Sequence, residues 1–480
     1  MAKPDAPSPQ NKQQPKLFQQ LRLLQSKELK SFNQFLRSPY FNTNPTLVTL
    51  FQLLQPHYPN FHTSQLQELK QQLFPDASPT KINQAFSDLG KLVYRFLEVH
   101  ALFSNPLLQH QATTLVLWQR DSYPALEKYI QKQAPQPPAT HPEHYLDTFL
   151  CLEKGYFHPN RIDHQETADL LPSLTQHLDA FFIAKKLKFL CDQAAITFTF
   201  EDAFPITPLD QAILQAAPQY AAAEHPYIFL LHHLWQALHL TPNVSPFYQA
   251  LAIFKTHNES LPKVERAFLL TKLILLGNHH QRRHQPALDS LLDLYRYGDQ
   301  EQLLVSHNKI TSATLLNLTS VGAHAQHFEW TASCIQKYAP LLPPEHATEV
   351  PQLARAILAF HQGNFRAAID QLQGITKKST HLRIRIHTLY LRCLLLLHLE
   401  ENNQLDTLKD TVKNFKAVIK RNKKLSADNK TALLNFAQVV LQLAKTATEG
   451  WPPHRLHSLK ADIEHTDRLV CRPWLRRLLP

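Results

Sequence analysis

Ala354-Arg-Ala-Ile-Leu-Ala-Phe-His361, then Gln362-Gly363-Asn364, then Phe365-Arg-Ala-Ala368-Ile369-Asp-Gln-Leu372 is the stretch that decides the fold. Apolar residues recur at helical spacing on both sides of a three-residue break. The break carries a glycine, which takes the backbone conformation needed to reverse a chain at no steric cost. Ala368, three places after Phe365, is small enough to let the second helix lie close to the first. The stretch therefore reads as two antiparallel helices joined by a tight turn.

The same pattern, Gly-x-Phe-x-x-Ala-Ile-x-x-Leu, is similar to a tetratricopeptide hairpin. Upstream, His327-Phe328-Glu-Trp-Thr-Ala332 to Tyr338 offers an analogue, 36 residues earlier when Ala332 is aligned with Ala368. That offset is close to the ~34-residue tetratricopeptide period. A third pair is expected downstream, with His381–Leu399 and Leu405–Ile419 flanking a turn at Glu400–Gln404.

Composition extends the helical reading to the whole chain. Only 8 of 480 residues are glycine, against a usual share of ~7%. So few, and all standing singly, leave little means to build hairpin-rich sheets, a dinucleotide loop or a phosphate-cradling Walker loop. The 34 prolines instead punctuate helices. The one β-like alternation, Ile196-Thr-Phe-Thr-Phe200, is too short and isolated to found a sheet. The predicted class is all-α: an N-terminal helical bundle followed by a tetratricopeptide-like α-solenoid of helical hairpins.

Along the chain, residues 1–16 read as a Pro/Gln-rich disordered tail without the apolar core of a signal peptide. A helical module is expected over 17–133. Ser26 is its first cap, and Leu29, Phe32, Phe35 and Leu36 form one apolar face that stops before Ser38-Pro39. Further helices are expected over Leu47–Leu54, from Thr63-Ser64 to Phe74, over Thr80–Phe103 and over Leu107–Gln133. The Pro-rich run 134–140 reads as a linker, and 141–480 as the hairpin array. Its expected pairs include Pro142–Tyr156 with Leu170–Cys191, and Lys263–Leu276 with Ala287–Tyr297.

Ser38-Pro-Tyr-Phe-Asn42 after Leu29-Lys-x-Phe32, Phe74-Pro75 with Ser87-Asp-Leu89, and Lys420-Arg-Asn-Lys-Lys-Leu-Ser426 together resemble an uncharacterised helical family of Bacteroidota. The likeness spans roughly 17–475 and rests on the order of these short motifs. It implies a helical N-terminal module ahead of a tetratricopeptide-like array, and brings no activity, cofactor or site residue.

The net charge of +11 is carried entirely by residues 371–480, which hold 20 Lys/Arg against 9 Asp/Glu. Within this quarter, Lys409, Lys413, Lys416 and Lys420 recur at helical spacing, and Arg421, Lys423 and Lys424 extend the stripe. Leu405, Leu408, Val412, Phe415 and Ile419 fall on a separate apolar face of the same helix. The stripe is the candidate partner-binding site, and it suits an acidic protein segment. A nucleic-acid backbone is the alternative, although the aromatic interleaving of single-strand binders is missing.

No catalytic constellation emerges. Neither GxSxG nor HExxH occurs, and the five cysteines, Cys151, Cys191, Cys334, Cys393 and Cys471, stand far apart and read as buried reduced thiols. Cys471 has a basic neighbour in sequence, Arg472, close to an expected frayed terminus. The pair His280/His284 has ligand spacing but adjoins Arg282-Arg283, so it reads as a solvated loop and no metal is expected. Glu400-Glu401 fall in the expected turn, and the five tryptophans are expected in the core. No cofactor and no membrane segment are expected. The chain is thus read as a non-catalytic, cytoplasmic protein–protein interaction scaffold. A nucleic-acid-binding protein using the basic quarter is the alternative, and an enzyme of unrecognised type a second one.

Overall fold

Every regular element among the described residues is helical: 22 α-helices joined by turns, with no strand. One isolated antiparallel bridge links Ser306 and Lys309. The computed structural model describes residues 15–62, 72–73, 79–133, 141–159, 164–200, 204–221, 223–239, 244–282, 287–375, 380–422 and 425–480. The expected tail before Pro15, most of the expected helix over 63–74 and the linker 134–140 lie outside them.

Two compact units divide the chain. The first comprises residues up to 136 together with 143–181, and the second is chiefly 182–480. The first opens with α1 (Lys16–Leu21), α2 (Leu29–Arg37), α3 (Pro45–Leu54) and α4 (Pro79–Ser104). Phe32 of α2 is fully buried, edge-on to Phe51 of α3 at 4.8 Å and 5.3 Å from Phe96 of α4. Such aromatic pairs add attraction to the burial itself. Helix α2 ends at Arg37 because Ser38, ahead of Pro39, is extended, and Asn44 caps α3 by accepting from Thr46 N. The first ordered helix thus precedes Ser26. Leu17, Phe18 and Leu21 are buried in the shared core, and that burial holds α1 ahead of the expected first cap.

The expected single helix over Leu107–Gln133 is two, α5 (Pro106–Gln119) and α6 (Tyr123–Gln133). Asp121 between them is left-handed, with φ 54°, which reverses the chain without a glycine. Next, α7 (Pro142–Tyr156) is tied to α5, with Thr114 Oγ1 3.5 Å from Cys151 Sγ and His110 Nδ1 3.5 Å from Asp147 Oδ2. This replaces the expected tie to 170–191. That segment belongs to α8 (His164–Phe200), 37 residues long with Pro172 inside it. Helix α8 absorbs the alternating Ile196–Phe200.

The second unit continues as α9 (Pro208–Ala216), α10 (Pro226–His239), α11 (Ser245–His257), α12 (Lys263–Arg282), α13 (Leu288–Gln300), α14 (Ser312–His324) and α15 (Phe328–Tyr338). It ends with α16 (Glu349–His361), α17 (Phe365–Gln373), α18 (Thr380–Glu401), α19 (Leu405–Arg421), α20 (Ala427–Thr448), α21 (Pro453–His465) and α22 (Arg472–Arg477). Neighbours pack in twos from α10/α11 to α20/α21, and α14, α16, α18 and α20 also pack successively on one another. One core joins α13 to α18 and another joins α18 to α22.

The hairpin read first from sequence is present. Gly363 stands between α16 and α17 with φ +80°, Asn364 caps α17 by accepting from Ala367 N, and Ala368 is fully buried. The upstream analogue is shifted by one residue. Ala332 is exposed, whereas Thr331 is buried and faces Gly322, where an added Cβ would collide with Thr331 Oγ1. The close approach in this hairpin is therefore made by glycine on the first helix rather than by alanine on the second.

Candidate interaction site

Helix α19 has two stripes. Leu408, Val412, Phe415 and Ile419 are buried, packed with Leu391 and Leu395 of α18 and with Phe436 and Val440 of α20. At ~100° of rotation per residue, the lysine stripe lies about a quarter-turn to the side of this face rather than opposite it. That angle decides the environment of each lysine. Lys413, Lys420 and Arg421 are exposed, with no ion pair among the described residues. Lys409 is exposed and pairs with Asp406 of its own helix at 2.7 Å. This contact holds the Asp406 carboxyl below its ordinary range.

Lys416 departs from the exposure of the other three lysines. It is the member of the stripe turned furthest toward the core, is half-buried, and donates to Gln438 Oε1 of α20 at 2.7 Å. Lys423 and Lys424 lie outside the described residues. The face is thus an open row of Lys409, Lys413, Lys420 and Arg421 on a helix anchored by its apolar side. Such a row can hold an acidic chain by screened attraction and hydrogen bonds.

The other residues singled out from sequence take structural places. His280 is fully buried on α12, its ring 5.7 Å from Phe247, so the solvated-loop reading fails there; His284 lies outside the described residues. Among the described residues no group of three or more His, Cys, Asp or Glu is arranged to hold a metal ion. Cys191, Cys334 and Cys393 are buried, while Cys151 and Cys471 are partly exposed. Burial raises all five thiols, Cys334 and Cys393 to about 12, so they remain protonated and are poor nucleophiles. The terminus is not frayed: Leu475 of α22 is fully buried. The five tryptophans are partly buried, with Trp330, Trp451 and Trp474 packed against the cores of the second unit. Glu401 closes α18 instead of lying in a turn, and it accepts from Arg366 at 2.6 Å.

One polar cluster has no counterpart in the sequence reading. Asp299 of α13 accepts from Lys337 Nζ at 2.6 Å and from Tyr338 OH at 2.5 Å, both on or beside α15. Trp330 Nε1 approaches the same carboxylate at 3.4 Å. Burial acts to raise the Asp299 carboxyl, but the bonds from Lys337 and Tyr338 outweigh it and leave it below its ordinary value. Its partners lie 31 to 39 residues away, so no local spacing could have signalled them.

Among the described residues, no helix is long and apolar enough to cross a membrane. No family model, curated protein or solved structure matches this chain.

Proposed function

We propose that the protein is a non-catalytic scaffold for protein–protein interaction, in which the α19 row docks an acidic segment of a partner. The observation that carries this reading is a row of exposed cations, three of them without an ion pair among the described residues, on a helix whose apolar stripe is buried. The succession of packed helix pairs supports a tetratricopeptide-like array, a form that offers extended surface to partner chains.

The charge excess of residues 371–480 favours a second reading, in which the same cations meet a nucleic-acid backbone. A fluorescent poly-glutamate peptide and a DNA oligonucleotide of equal length separate the two. The scaffold reading expects peptide binding that weakens with salt and is lost in K409Q/K413Q/K420Q. Tighter binding of the oligonucleotide, with a steep salt dependence, would replace it with the second. No binding of the peptide, or equal binding by the variant, would end it.

A further inference from the structure

Helix α8 buries one side and leaves a second apolar line in the open. Within the second unit its buried side comprises Ile183, Ala184, Leu187, Leu190, Cys191 and Ala195. Cys191 Sγ donates to Leu231 O of α10 at 3.3 Å, and Lys188 Nζ reaches Glu265 of α12 at 2.8 Å. Phe182, Phe189 and Ile196 are exposed, Phe189 by 62%. At ~100° per residue these three fall within about 40° of one another, on the side away from that packing. Single exposed apolar side chains are ordinary on a protein surface, whereas a contiguous row of them marks a contact.

The row is spaced as a helix-pairing seam. Its step is seven residues taken twice, the repeat that keeps two supercoiled helices facing one another. It is also symmetric, with Phe182 seven residues before Phe189 and Ile196 seven after it. Turned end for end about Phe189, the row falls on itself, Phe182 of one copy opposite Ile196 of the other. Charge selects the same arrangement. Lys185 and Asp192 share one flank of the row, four residues before Phe189 and three after it. In an antiparallel pair like flanks meet, so Lys185 of each copy faces Asp192 of the other. In a parallel pair opposite flanks meet, which sets Lys185 against Lys186 of the other copy and is repulsive. Asp192 accepts from Lys272 Nζ, yet its side chain remains 43% exposed. On the other flank Lys186 pairs with Asp210 of α9 at 2.6 Å. That pair ties down the segment carrying the exposed Phe204, Ile206 and Leu209.

We propose that this face of α8 is a self-association surface, on which two copies of the chain pair antiparallel along Phe182, Phe189 and Ile196. Phe189 then lies at the two-fold axis. Such a contact uses the same patch on both copies and closes at the dimer. The segments bearing Phe204, Ile206 and Leu209 meet on the Lys186 flank and enlarge the apolar contact there. The surface is separate from the α19 row and does not depend on the proposed function.

The test is sedimentation equilibrium of the full chain over a micromolar concentration range. The expected result is a reversible monomer–dimer equilibrium. F189K, and independently F182Q/I196Q, change only exposed side chains and should keep the circular dichroism of the unmodified chain. Each should weaken dimerisation at least about tenfold, the effect of losing an apolar anchor at the centre of an interface. Cross-linking with a short bis-maleimide reads the orientation, with the unmodified chain as the control for its own cysteines. A mixture of F182C and I196C chains should be joined. F182C alone should not, because its two copies stand about 21 Å apart along the axis. K409Q/K413Q/K420Q should dimerise as the unmodified chain does. A monomer throughout, undiminished dimerisation by F189K and F182Q/I196Q, no joining in the mixture, self-joining of F182C or loss in the lysine variant would each overturn the proposal. A monomer that binds phospholipid vesicles unless it carries F189K would overturn it in favour of a lipid surface.

Discussion

Gly363 is held at φ +80° with nothing within 4 Å of an added Cβ. The cost of Gly363→Ala is therefore conformational alone, about 1 kcal/mol, read as a lower urea midpoint. Ala368 is the opposite case: its backbone is ordinary helix and its side chain is fully buried. Ala368→Leu should overpack the α16/α17 crossing and cost ~1–3 kcal/mol, with unchanged helical content at low urea. Asp299 carries a pH signature. Its carboxyl is lower in the folded chain, so the folded state favours the ionised form, and this stability is fully present above the unfolded value of about 3.9. It is lost as pH falls through the lower folded value. Asp299→Asn should cost about 2 kcal/mol at neutral pH, and its deficit relative to the unmodified chain should shrink below about pH 4. A deficit independent of pH would show that the lost contacts do not depend on the charge.

At the scale of the element, α19 separates stability from recognition. Phe415 is fully buried between α18 and α20, and Phe415→Ala should cost ~3–5 kcal/mol. The exposed lysines touch little, so K409Q/K413Q/K420Q should change thermal stability by no more than about 0.5 kcal/mol per site. Its one described ion pair, Lys409–Asp406, is on the surface, where such pairs contribute little. Lys416→Gln should behave differently from its three neighbours, because it breaks the bond to Gln438 and uncovers part of the helix flank. Scanning calorimetry of the single variants would show whether Lys416 stands apart.

At the scale of the whole molecule, the two units have separate cores, one built around Phe32 and Phe51 and the other including Phe436 and Val440. Separate cores favour unfolding in more than one step. Phe32→Ala and Phe436→Ala, each expected to cost ~3–5 kcal/mol, should then displace different parts of the calorimetric trace. A single transition moved equally by both would mean that the units unfold together.

The sequence by itself determined the helical class, the Gly363 hairpin and the two stripes of α19. Each depends on residues within a turn or two of one another, where glycine scarcity, apolar spacing and breakers act locally. It also located the positive charge, because charge is additive along a chain. Tertiary packing decided what local spacing cannot reach. Lys416 turns inward because α20 offers Gln438, and α1 exists because Leu17 and Phe18 find a core supplied by later helices. Thr331 takes the place expected of Ala332 because Gly322 lies against it. Asp299 acquires its neighbours from a helix tens of residues away, and the energy of a buried charge depends on those neighbours rather than on its place in the chain.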